Sequence, residues 1–307
     1  MQSLWMLFAS FMFAIMGVCV KLASDLYSTS EIVMYRGLIG TTIMTCTVLY
    51  QGGSFKTSMP VQHLWRGVVG VVALWLWFYA ISILPLATAM TLNYMAPIWI
   101  AVILLVGGWW KGMAQVEWPL TVAIAMSFVG VTLLLQPVFE TDQAAGAITA
   151  LISGMLSALA YLQVRKLGLL GEPEYRVVLY FSVVNFLAGV IGHVASAGGG
   201  PVVWHAHTSG YGVALLAAIG LCATMAQVAM TRAYRLGKTL VVANLQYTGI
   251  VFSSFWGVLI FGDLFDWHGW LGIGIILASG LAATYYNTRK TARGVAVERT
   301  DPIASEV

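Results

Sequence analysis

The chain has 307 residues, of which 60% are hydrophobic and only 9% charged, and its mean hydropathy is +0.86. Soluble domains carry about 25% charged residues, so this composition excludes an ordinary soluble protein and specifies an integral membrane protein. The net charge of +3 is too small to point to a nucleic-acid partner.

The first apolar run, residues 3–20, has no Lys or Arg before it and Lys21 after it. A secretory signal has the reverse order, so the run is expected to be a retained first transmembrane helix. A span needs roughly 20 mostly apolar residues, and charges, Gly/Pro clusters and polar turns mark the breaks. On that basis the sequence divides into ten spans: 3–23, 30–50, 64–83, 86–108, 117–136, 144–165, 176–197, 210–231, 238–261 and 267–287. Leu84-Pro85 leaves a very short connection after the third span, and Gly-Gly-Gly-Pro at 198–201 opens the longest loop on the opposite face. Residues 291–307 are polar and charged and read as a solvated tail. Cys19, Cys46 and Cys222 fall in apolar runs without metal or CxxC spacing, as small lipophilic core residues do.

Charge tests the span count. With ten spans, 13 of the 15 Lys/Arg residues fall on the face that holds both termini, among them Lys56, Arg66, Lys111, Arg165, Lys166, Arg176, Lys238 and Arg289. The other two are Lys21, at the far end of span 1, and Arg36, inside span 2. The opposite loops carry Asp25, Glu31, Glu140, Asp142, Asp263 and Asp266. By the positive-inside rule both termini are cytoplasmic, and one missed span would scramble the segregation.

Shifting the chain by 153 residues lays span 4 on span 9, so that Asn93-Tyr94 meets Gln246-Tyr247 and Ala80 meets Ala233. A shift of 145 lays span 1 on span 6 and puts Lys21 on Lys166. These matches suggest two halves, 1–139 and 140–290, each of five spans. An odd number of spans inserts the second copy upside down. Inverted repeats are a common plan of secondary transporters, with the site at the repeat interface and alternating access between the halves.

Ten spans in five plus five, an early Arg in span 2 ("YRGLIG", 35–40), "ILPLATAMTLNYMAPIW" (83–99) and "ANLQYTGIVFSSFWGVLIFGD" (243–263) together resemble the EamA-type members of the drug/metabolite transporter superfamily. The resemblance covers residues 3–287 and implies a carrier of small metabolites, often an exporter, with a cavity formed mainly by spans 1, 3, 4, 6, 8 and 9. The family pattern often has Pro in span 9 as well as span 4 and an acid ending each. Here Ile250 matches Pro97, and span 4 ends at Lys111 with Glu117 only later, so two unequal hinges are expected.

Several polar residues at membrane depth are candidates for the site. Arg36 lies about 9 Å into span 2 at 1.5 Å per residue. A charge there either faces a cavity, where its planar fork suits a carboxylate or phosphate, or snorkels or pairs with Asp25 or Glu31. Lys21 either snorkels or adds positive charge to the outer mouth. Asn93 and Tyr94 must find partners in neighbouring helices or a wet cavity, and Pro97 frees a backbone carbonyl beside them, which makes it the candidate hinge. Asn244, Gln246 and Tyr247 are their inverted counterparts, and Tyr94 and Tyr247 are expected to help form gates on opposite sides of one central site. In span 3, Trp75 is a candidate cavity wall and Tyr79 fits an interfacial belt or the outer cavity. Gln163 and Gln227 are isolated amides that serve either helix packing or the cavity. The glycines of spans 2 and 10 read as close-packing sites, with a homodimer face on spans 5 and 10 as the alternative to a monomer.

No GxxxxGK[ST] loop is present, no metal-ligand spacing, and no nucleophile–base pair within a span, so neither an enzyme nor a cofactor is expected. The sequence reading is a secondary transporter in the inner membrane, surrounded by lipid and moving an amino acid- or organic acid-like metabolite, zwitterionic or anionic. Export is the first choice and uptake the alternative; a channel or scaffold fits less well.

Overall fold

Short polar turns set the helix ends. The computed structural model describes residues 2–83, 86–110, 117–136, 144–196, 210–262, 264 and 266–292. Among them run twelve α-helices: α1 (Trp5–Ala23), α2 (Thr29–Tyr50), α3 (Pro60–Ile83), α4 (Leu86–Asn93), α5 (Ala96–Trp110), α6 (Trp118–Leu135), α7 (Ala144–Leu169), α8 (Glu174–Ser196), α9 (Gly210–Leu236), α10 (Thr239–Leu245), α11 (Thr248–Trp256) and α12 (Trp267–Ala292). A π-helical turn, Gly257–Phe261, extends α11. The Leu84-Pro85 turn, Lys111, Glu140, Asp142, the 198–201 loop with His205 and His207, Asp263 and the tail beyond 292 lie outside the described residues.

The caps follow the local chemistry. Ser28 begins α2 as a capping box: its hydroxyl accepts from the Glu31 amide (3.4 Å) while the Glu31 carboxylate accepts from the Ser28 amide (2.9 Å). Glu31 is thereby committed to its own helix end. Asp266 accepts from the Gly269 amide (3.0 Å), from Gln136 and from the His268 ring, and these bonds, the His268 one foremost, hold its carboxyl down at about 2.

Eight helical segments among the described residues are long and apolar enough to cross a membrane. Their outward faces confirm the environment. Leu187, Ile191, Leu281 and Tyr285 are all more than half exposed on helices that would form large apolar patches in water. Trp109, Trp110, Trp118, Trp267 and Trp270 stand exposed at helix ends, where indoles anchor at a bilayer interface. The protein is an all-α, multi-pass integral membrane protein. Cys46 is exposed on this outer face rather than in the core, whereas Cys19 and Cys222 are half-buried; all three are free.

Helix packing follows a regular scheme. The most extensive pairs are α2 with α8, α1 with α9, α6 with α12 and α3 with α7. Small residues bring α2 and α8 together: a Cβ added to Gly37 would lie 2.4 Å from the Phe186 backbone nitrogen, and one added to Gly189 would lie 2.5 Å from that of Met34. Positions rising along α2 meet positions falling along α8, so the two run antiparallel. The same holds for α6 and α12, where Gly130 and Gly272 abut and Ser127 lies 2.7 Å from Ser279. Gly272 therefore packs within the chain.

At the end of the bundle nearest the N-terminus, polar bridges join the helices. Glu117, just before α6, pairs with Lys238, which caps α10, and both are buried. Arg165 of α7 donates to the carbonyls of Tyr234, Arg235 and Gly237, where α9 ends (2.8, 2.9 and 3.2 Å). Glu172, in the α7–α8 turn, accepts from Thr57 and from Arg176 (2.8 Å) and lies 3.5 Å from His63. Burial raises the pKa of its carboxyl, but those hydrogen bonds outweigh it and hold Glu172 below its ordinary value.

Candidate functional site

Two helices are broken at matching places. The α4–α5 break falls at Tyr94-Met95 and the α10–α11 break at Gln246-Tyr247. Tight turns replace α-helical bonds at each: Met95 donates to the Leu92 carbonyl (3.3 Å), and Gln246, Tyr247, Gly249 and Ile250 each donate to the carbonyl three residues back (2.9–3.2 Å). Pro97 lacks the amide that would have bonded Asn93. In α7, Gly154 lets that helix approach, since a Cβ there would lie 3.0 Å from the Asn93 carbonyl oxygen. The second break forms without a proline, with Ile250 at the place that matches Pro97. There the Thr248 hydroxyl donates to the Leu245 carbonyl (2.6 Å).

The first break is stitched to its neighbours by a short chain of hydrogen bonds. Asn93 Nδ2 donates to Ser153 Oγ (2.8 Å), which donates to the Ala73 carbonyl (2.7 Å), linking α4, α7 and α3. The two breaks also face each other across the bundle, because the Tyr94 hydroxyl stands 3.7 Å from where a Gly249 Cβ would be.

Between them lies a cavity of about 280 Å³. Its wall includes Ser10 and Phe13 of α1, Arg66 and Trp77 of α3, Asn93, Tyr94 and Pro97 at the first break, Ser157 and Tyr161 of α7, Gln227 of α9, and Gln246, Gly249 and Ser253 around the second break. Those are the six segments that the family resemblance implies. Arg36 of α2 and Phe181 of α8 complete the wall.

Of the sequence candidates, Arg36, Asn93, Tyr94, Pro97, Gln227 and Gln246 come together on this wall. Arg36 donates to Asn185 Oδ1 (3.5 Å), not to Asp25 or Glu31. Gln227 accepts from Arg66 Nη2 (3.4 Å), and Gln246 donates to the Tyr234 hydroxyl. The other candidates stand elsewhere. Tyr247 is fully buried beside the second break. Asn244 accepts from Ser127 (2.7 Å) and donates to the Ser279 carbonyl (3.3 Å), joining α10 to α6 and α12. Gln163 reaches Gln62 of α3 (3.4 Å). Trp75 and Tyr79 face outward, 39% and 55% exposed, with the Trp75 ring over Gly192 of α8. Lys21 is exposed with its ammonium 3.7 Å from the Phe261 ring centre.

The wall also holds residues that the sequence reading did not select. Trp77 lines the cavity where Trp75 was expected, because two residues turn a helix through about 200°, onto nearly the opposite face. Arg66 was counted among the cytoplasmic-face cations. Helix α3 starts at Pro60 instead of 64, which draws Arg66 inward until it is only 3% exposed. His63 and Pro60 were the available signals, a polar start to the helix ahead of an arginine. Among the described residues no three His, Cys, Asp or Glu side chains gather as a metal site.

An all-α membrane bundle with a cavity between two broken helices, and polar side chains on an otherwise largely apolar wall, defines a transporter-like class. A model of the EamA-like transporter family matches residues 1–136. The pseudopaline exporter CntI of Pseudomonas aeruginosa is 30% identical over 84% of this chain and 87% of that protein. The chain belongs to the EamA-like family of the drug/metabolite transporter superfamily. A riboflavin transporter of Vibrio cholerae is 25% identical over 95% of both chains. An S-adenosylmethionine uptake transporter of Rickettsia felis is 22% identical over 86% of this chain and 85% of that one. A crystal structure superposes with a TM-score of 0.78 over 92% of this chain and 98% of that chain, at 16% identity, and shares the fold. The chain is a small-molecule transporter, and the names of its relatives are those of transporters rather than enzymes.

Proposed function

We propose that this protein is a secondary transporter of the inner membrane that exports a small anionic or zwitterionic metabolite, amino acid- or organic acid-like, by alternating access. The observation that carries the reading is one cavity, with arginine and amide side chains on its wall, between two helices broken at repeat-related positions, Tyr94-Met95 and Gln246-Tyr247. Irregular backbone at membrane depth is tolerated where it lines such a cavity, and broken helices at a repeat interface are where transporters bind substrate.

Ten spans account for the helices if α4–α5 and α10–α11 each cross once. Two five-span repeats, 1–139 and 140–290, are supported by the pairing scheme. If α1–α6 form one repeat and α7–α12 the other, α2 packs on its own counterpart α8, α6 on its counterpart α12, and the reciprocal pairs α1–α9 and α3–α7 both occur. That is the signature of a two-fold axis, and counterparts that run antiparallel mean inverted copies. The family match at 1–136 ends close to the proposed boundary. The excess of Lys and Arg at the end with the termini supports a cytoplasmic position for both.

The test is counterflow. Purified protein in liposomes loaded with an unlabelled organic acid should take up the labelled acid saturably, and empty vesicles should not. Flux that is non-saturable across a panel of amino and organic acids would point to a channel, and no flux with any of them to a scaffold. Because some relatives are named for uptake, the direction is tested by comparing inside-out with right-side-out vesicles.

A further inference from the structure

We infer that the cavity binds a small molecule carrying two oxyanion groups, carboxylates or phosphates, clamped between Arg36 and Arg66 across the ring of Phe181. The inference rests on the transport reading only in that this cavity is the substrate path.

The two guanidiniums share one aromatic ring. The Arg66 guanidinium carbon lies 3.8 Å from the Phe181 ring centre and that of Arg36 lies 5.8 Å from it. The charges can thus be no further apart than the sum of these distances, and both side chains line the cavity. Their hydrogen-bond partners are neutral: Asn185 for Arg36 and Gln227 for Arg66. Neither Asp nor Glu is among the described lining residues. Arg36 Nε, Arg66 Nε and Arg66 Nη1 are buried without a hydrogen-bond partner.

Among the other described residues, buried cations are treated differently. Lys238 has the Glu117 carboxylate and Arg165 has three backbone carbonyls, and the half-buried Arg176 has Glu172. A buried charge without a counter-charge is destabilising, and a second like charge nearby adds repulsion. A cation–π contact offsets only part of that. Two such arginines sharing one ring are accounted for by a ligand that supplies both negative charges. The fork of each guanidinium matches a carboxylate or phosphate. A single carboxylate would balance only one of the two positive charges, and an ammonium group would find no carboxylate among the described lining residues.

The test is thermal unfolding of the detergent-solubilised protein in sodium salts at matched ionic strength: chloride, acetate, succinate, glutarate and pyrophosphate. A ligand of the native state raises the midpoint by mass action. Succinate or glutarate, or pyrophosphate if the groups are phosphates, should raise it, while acetate matches chloride. Arg36→Gln and Arg66→Gln should each weaken that response at least tenfold in concentration, yet unfold in chloride no earlier than the parent. Four results would overturn the inference: equal shifts from acetate, shifts that persist in both variants, no shift from any doubly charged anion, or loss of the fold in the variants in chloride, which would make the arginines structural. None of these touches the transport reading, which fails separately if no saturable flux is found.

Discussion

Replacing Lys238 with Met should destabilise the protein by about 3–5 kcal/mol, the usual result of stranding one member of a buried ion pair. Glu117 and Lys238 are 5% and 7% exposed, and they join the start of α6 to the start of α10. Without the ammonium, the Glu117 carboxylate, held away from water, loses the counter-charge that Lys238 supplies. Replacing both residues, Lys238→Met with Glu117→Gln, should recover more than half of the loss, because the pair as a whole contributes far less than its rupture costs. Thermal unfolding of the two single variants and the double variant measures this directly. If the double variant is as unstable as Lys238→Met alone, the bridge is not coupled in the way its geometry implies.

The close approach of α2 and α8 gives the second large effect. Gly189→Ala should lower stability by about 1–3 kcal/mol, as overpacking does, and Gly189→Leu should yield no folded protein. The added Cβ meets the Met34 backbone at 2.5 and 2.6 Å, so no rotamer change relieves it and the helices must separate. Gly274→Ala is the control. Its Cβ meets nothing within 4 Å, and the substitution should be neutral or stabilise by up to about 1 kcal/mol through helix propensity. Thermal midpoints in detergent, read by size-exclusion monodispersity, separate the two.

Much of the architecture is legible in the residues. The capping box at Ser28 and Glu31 places the start of α2, and the amide–tyrosine pairs at 93–94 and 246–247 mark where the two helices break. Which side of a helix faces the cavity is less legible. Helices that are apolar nearly all round have no amphipathic stripe to give a direction, so Trp75 and Trp77 are equivalent in sequence and opposed in space. Arg66 and Arg165 both look like interfacial cations and are both buried, 3% and 2% exposed. Arg66 lines the cavity, whereas Arg165 closes the carbonyl end of α9. The difference depends on where α3 and α7 begin and end, and helix ends are the least certain part of any sequence reading. The break at Gln246-Tyr247 forms without a proline, and the Thr248 hydroxyl donates to the Leu245 carbonyl there.

The central claim is that one cavity opens alternately to the two sides of the membrane about these paired breaks. Its most direct test places a single cysteine on the cavity wall, Ser157→Cys, in a chain with Cys19, Cys46 and Cys222 changed to Ala, and measures its reaction with a membrane-impermeant thiol reagent. The account predicts reaction from either face in oppositely oriented vesicles, with Tyr94→Ala and Tyr247→Ala altering the rate on opposite faces. Reaction from one face only, or both substitutions acting on the same face, would contradict it.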